Sequence, residues 1–80
     1  MKTVSDFKVI ASAGKLVFIA FLQEGKITLA TGKYFNDDVR IIEGNGFYPC
    51  RLQEVKATAE EEFGIILTDK DVSELAFHFL

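Results

Sequence analysis

Leu16-Val17-Phe18-Ile19-Ala20-Phe21-Leu22 is the stretch whose reading decides the fold. It is rich in β-branched and aromatic side chains, has the length of a strand, and falls far short of the roughly 20 apolar residues that span a bilayer. In a strand, Leu16, Phe18, Ala20 and Leu22 point one way while Val17, Ile19 and Phe21 point the other. Both sets are apolar, so the stretch is expected to be a central strand covered on both faces.

Turn chemistry brackets it. Gly14-Lys15, Gly25-Lys26 and Gly32-Lys33 each stand at the edge of an apolar or alternating run, where glycine tolerates a reversal and lysine keeps an edge soluble. Between them Phe7 to Ala11 and Ile27 to Thr31 read as further strands, and Gln23-Glu24-Gly25 makes the second and third strands a hairpin. A fourth strand, Val39 to Ile42, follows Asn36-Asp37-Asp38 and is closed by Gly44-Asn45-Gly46.

From Pro49 the period changes. Leu52, Val55, Ala59 and Phe63 recur at helical spacing, with Pro49 suited to a first turn and Gly64 to a C-terminal cap. After Ile65-Ile66-Leu67, Thr68 and Asp71 resemble a capping box, and Val72, Leu75, Ala76, Phe79 and Leu80 form one helix face. Leu75, Phe77 and Phe79 also alternate, so residues 72–80 read as helix with a terminal strand as the alternative. The expected fold is α+β in one domain, residues 1–80. A small antiparallel sheet of three to four strands in the N-terminal half is packed by one or two C-terminal helices, the first at about 50–63.

Two short helices cover one face of such a sheet. Ile10, Val17, Ile19, Phe21 and Ile42 are therefore expected to form an apolar patch open to a protein partner or a second copy, as in a homodimer, unless residues 65–80 fold across it.

Composition narrows the class. Eighty residues allow one core, and 49% hydrophobic residues with eight Phe are too apolar for disorder. One Cys permits no internal disulfide, so the core holds without a covalent staple and a reducing compartment is expected. Asp6 and Lys8 interrupt the apolar segment a signal peptide would need, which gives the expectation of a soluble, cytoplasmic protein without a membrane span. Charge is split along the chain. Residues 1–51 carry seven basic and five acidic side chains, whereas residues 52–80 carry seven acidic and two basic. The net charge of −3 lacks the clustered basic face of a dedicated nucleic-acid binder.

The motifs that carry chemistry are sparse. The Gly-Lys pairs lack the spacing and the Ser or Thr of a phosphate loop, since Tyr34 follows Lys33. Cys50, placed by this reading in a helical first turn beside Arg51, is a candidate reactive thiol, with a buried seam residue as the plainer account. One His and one Cys make no zinc ligand set, and Asp69, Asp71 and Glu74 lack the pattern of a calcium loop, so no metal and no cofactor is expected. Asp37, Asp38 and Glu43 near Arg40 have no nucleophile beside them, and no enzymatic activity is expected.

Two surfaces remain. Glu54, Glu60, Glu61 and Glu62 are expected on the solvent face of the first helix, where they suit a basic protein partner. Tyr34, Phe35, Phe47 and Tyr48 with Lys33, Arg40 and Arg51 flank the loops at one sheet end, a composition that suits stacking on single-stranded nucleic acid.

Glu60-Glu61-Glu62-Phe63-Gly64-Ile65 with Asp69, Asp71 and Leu75 resembles the end of the second helix and following loop of acyl carrier proteins, over about 20 residues. That family attaches phosphopantetheine at an Asp-Ser-Leu motif, and the positions matching it are Tyr48, Pro49 and Cys50, without the serine. Glu61 to Ile65 is also similar to the end of the Nudix box. Its upstream Arg-Glu pair is here Ala57-Thr58, and its earlier Glu is Pro49. Both resemblances imply a helix end and neither brings its chemistry. The expected function is a small non-enzymatic protein-binding or regulatory module, in one version an inhibitor of a nucleic-acid-handling complex. The alternative is a single-stranded nucleic-acid-binding protein.

Overall fold

The computed structural model describes residues 2–42 and 46–80. Glu43, Gly44 and Asn45, and with them the expected end of the fourth strand, lie outside the described residues. The fold is α+β, with an antiparallel sheet in the N-terminal part and two C-terminal helices.

The central hairpin forms as its sequence dictates. Strand β3, Leu16–Gln23, pairs with β4, Lys26–Phe35, from Gln23 opposite Lys26 to Val17 opposite Gly32. The two loop residues, Glu24 and Gly25, have φ of 54° and 78°, the pair of positive values that lets a tight turn follow the strand twist. Strand β2, Lys8–Ala13, lies along the other side of β3 and carries a bulge between Val9 and Ala11. Val9 lies opposite Ile19, so Ile10 faces the other way and packs with the residues beneath the helices, and the bulge turns Ala11, opposite Phe18, to that same side.

On its second edge β4 takes two partners in succession. Strand β5, Asp38–Ile41, pairs with residues 32–35, and β6, Phe47–Cys50, pairs with residues 27–30. Strand β1, Thr3–Val4, then pairs with β5. Six strands are thus present among the described residues where three to four were expected. Both additions are strands by pairing rather than by local sequence. Thr3–Val4 is two residues long, and Phe47–Cys50 contains Pro49, which the sequence reading gave to a helix. Proline is tolerated there because β6 pairs only with β4, leaving its other edge without a ladder.

Gly32 also departs from expectation, being an interior strand residue and not a turn. A Cβ at this position would lie 2.7 Å from the Arg40 carbonyl oxygen and closer still to a Val39 methyl. Glycine lets β5 approach β4 where the latter passes from its β6 partner to its β5 partner.

The sheet has two apolar faces, and each is covered differently. On one, Ala20, Ile27 and Leu29 pack with Val55, Ala59, Leu67 and Leu75 from the helical half. On the other, Val4, Val17, Ile19, Phe21, Ala30, Val39 and Ile41 form a cluster that includes no helical residue. Ile19 and Val39 are nevertheless 0% exposed and Phe21 2%. Curvature explains this. The strand order β1-β5-β4-β3-β2 would separate the outer strands of a flat sheet by about 19 Å, yet residues 5–7 bridge them with a reach of at most about 14 Å. The sheet therefore curls, and side chains meet across it: Lys2 Nζ donates to Gln23 Oε1 at 2.8 Å and lies 5.6 Å from the Phe21 ring centre. The rings of Phe7 and Tyr34 stand 6.4 Å apart.

The helical half follows its signals closely. A single 3-10 turn at Leu52–Glu54 leads into α1, Val55–Phe63, which Gly64 ends with φ 69°. Helix α2 is Asp69–Phe79, which removes the terminal-strand alternative. Its capping box is formed: the Asp71 N–H donates to Thr68 Oγ1 at 3.1 Å, and the Thr68 N–H donates to Asp71 Oδ2 at 2.8 Å. The bond from the Thr68 backbone, then that from its side chain, holds the Asp71 carboxyl below its usual range. A depressed folded value means the cap is complete above about pH 4 and is lost as pH falls through that lower value. Asp71→Asn is therefore expected to be less stable than wild type at pH 7. In urea titrations the difference should close in strong acid.

Candidate functional site

Helix α1 turns Val55 and Ala59 inward, one turn apart, and this orientation places Glu60, Glu61 and Glu62 outward. Glu54 is exposed at the start of the helix, where a carboxylate oxygen accepts the Arg51 N–H at 2.9 Å. Lys56 is turned towards α2 and pairs with Asp69 at 2.6 Å. Among the described residues no salt bridge engages Glu60, Glu61 or Glu62, so the four expected carboxylates form an open acidic surface on a helix anchored to the core. At its inner margin Glu62 lies beside the half-buried Tyr48 phenol, whose pKa is raised by desolvation and further by that carboxylate.

The expected sheet-face patch is corrected by burial. Val17, Ile19 and Phe21 are 3%, 0% and 2% exposed, because the curled sheet encloses them. Ile10 follows Val9, which lies opposite Ile19, and so faces the helix side, and Ile42 is half-buried, its N–H donating to the Thr31 carbonyl at 3.0 Å. These five residues make no common surface.

The seven residues considered for nucleic acid separate into two groups. Lys33, Tyr34, Phe35 and Arg40 share the arm where β4 runs past the start of β3 and pairs only with β5, with Lys33, Phe35 and Arg40 on one face and Tyr34, opposite Val39, on the other. Lys33 lies opposite Arg40, and the Arg40 guanidinium sits 3.9 Å from the Phe35 ring centre. Tyr34 and Phe35 are 58% and 49% exposed. A shallow cleft between this arm and the β2–β3 turn is lined by Ser12, Lys15, Val17, Lys33 and Tyr34. The other three stand apart. Phe47 leans on Phe21 at 6.2 Å, Tyr48 packs edge-on to Phe63 at 5.5 Å, and Arg51 leads into the helical turn.

Cys50 lies at the end of β6 and not in a helical turn, so no helix dipole acts on it. Burial pushes its thiol pKa up, Glu54 adds to the rise, and a hydrogen bond with Thr58 offsets part of it. His78 pairs with Asp6 at 3.0 Å and ties the last turn of α2 to the β1–β2 connection. Among the described residues no group of three or more His, Cys, Asp and Glu is placed to hold a metal ion. Among the described residues no helix is long and apolar enough to cross a membrane.

Sequence reasoning missed the three most exposed large apolar side chains described: Ile66, Phe77 and Leu80, at 80%, 95% and 77% exposed. The signal for Phe77 was its place two residues beyond Leu75, which on a helix is close to the opposite face. Leu80 was assigned to the buried stripe, but it follows the last helical residue and turns away.

No family model matches the chain, and no curated protein or solved structure matches it.

Proposed function

We propose that the chain is a small non-enzymatic protein-binding or regulatory module that offers the outer face of α1 to a basic surface on a protein partner. The observation that carries this reading is the exposed set Glu54, Glu60, Glu61 and Glu62 on a helix whose inner face is fixed by Val55 and Ala59. Exposed carboxylates of one sign act mainly on encounter rate and on choice of partner, which suits recognition more than chemistry. An inhibitor that covers the basic site of a nucleic-acid-handling protein is the narrower version. The test is affinity capture from the source cell with wild type and with the Glu60→Lys, Glu61→Lys, Glu62→Lys variant. A partner that wild type retains at low salt and releases at high salt, and that the variant fails to capture, supports the reading. Equal capture by both overturns it.

The exposed arm favours one second reading, single-stranded nucleic-acid binding by Lys33, Tyr34, Phe35 and Arg40. Fluorescence anisotropy with single-stranded DNA and RNA checks it, and absence of binding at low salt removes it.

A further inference from the structure

Ile66 is 80% exposed, yet its orientation is fixed. Gly64 and Ile65 turn the chain back over α1, the Gly64 N–H donating to the Glu60 carbonyl at 3.0 Å and the Ile65 N–H to the Ala59 carbonyl at 3.2 Å. Just beyond, Asp69 is tied to Lys56, near the start of the same helix. Between these ties the chain runs alongside α1. Ile65 and Leu67 pack into the cluster beneath the helices, so the side chain between them is held outward, as alternation in an extended segment requires. The flank of α1 that it borders carries Lys56 and, one turn on, Glu60.

We infer that Ile66 is the apolar anchor of the interface proposed for α1, an inference that rests on that reading and adds to it the kind of partner: a folded protein whose basic surface holds an apolar socket. Charge selects the basic surface. Glu60, Glu61 and Glu62 enter no salt bridge among the described residues and call for cations opposite them. Ile66 selects the socket. Exposed carboxylates steer the encounter, but solvent and salt screen them, and they hold a docked complex weakly. Long residence comes from a side chain that gives up its water in a pocket. Ile66 suits that part because it is β-branched, stiff at χ1 and fixed through both neighbours, so seating it orders little that is not already ordered. A disordered lysine-rich tail would satisfy the carboxylates and leave Ile66 in water, and a nucleic acid would be repelled by them. A folded basic protein with a socket satisfies both.

Surface plasmon resonance tests this, with the partner that wild type captures at low salt as one immobilised probe and polylysine, which has the charge and no socket, as the other. On the partner, Ile66→Ser should keep the association rate within about twofold of wild type and raise the dissociation rate by at least about tenfold, at high salt as at low. Glu61→Lys should instead slow association, and the effect should shrink as salt rises. Polylysine should bind wild type and Ile66→Ser alike. Both substitutions are at exposed positions and should keep the wild-type far-UV circular dichroism. Ile66→Ser leaving the partner at the wild-type rate overturns the anchor and leaves the acidic surface standing. Glu61→Lys associating at the wild-type rate at low salt overturns the α1 reading, and the anchor with it.

Discussion

Phe21→Ala is expected to destabilise the protein by about 3–5 kcal/mol, close to the whole stability of a domain this size. Phe21 is 2% exposed, within the cluster of Val17, Ile19, Val39 and Ile41, with the Phe47 ring 6.2 Å away and Lys2 across it. Truncation removes most of the ring's transfer energy and leaves a cavity between strands that are hydrogen-bonded to one another and cannot close up. The prediction separates two accounts of the same residues. If the curled sheet makes this face an interior, urea denaturation will show the variant largely unfolded or with a much lower midpoint. If the face were a docking surface, the change would be within about 0.5 kcal/mol and only association would suffer.

Gly32→Ala should cost about 2 kcal/mol or more, although it adds a single methyl group. The methyl would meet the Arg40 carbonyl oxygen at 2.7 Å, and Val39 lies closer still. Val39 is 0% exposed and cannot swing aside, while Arg40 is held in register opposite Lys33 and Thr3. Relief requires β5 to move off β4, and β1 moves with it. Thermal unfolding should show a drop of roughly 8–16 °C, at 4–8 °C for each kcal/mol at this size.

What was legible in the sequence was what neighbouring residues decide among themselves. Glu24-Gly25 fixed a hairpin, Thr68 and Asp71 fixed a helix start, and Gly64 fixed a helix end, each through contacts within a few residues. The β3 alternation correctly required cover on both faces. What it could not supply was the cover. That depends on β1, two residues long, pairing with a strand 35 positions away, as Val4 does with Val39. Pro49 misled for a related reason: its ring suits a first helical turn and an edge strand equally, and only the pairing of β6 with β4 decides between them. For the candidate surfaces, the acidic helix face followed from period alone and is exposed as expected. The aromatic group divided because Phe47 and Tyr48 lie on β6, opposite Ala30 and Leu29, whereas Tyr34 and Phe35 lie on the stretch of β4 that pairs with β5.

With one sheet face enclosed and the other beneath the helices, α1 is the outward face that carries the proposal of a protein-binding module. Amide hydrogen–deuterium exchange on the captured complex, compared with the isolated protein, tests it most directly. The account predicts added protection across Val55–Phe63, with the β4–β5 arm unchanged. Protection confined to Lys33–Arg40, with α1 exchanging as in the isolated protein, would contradict it.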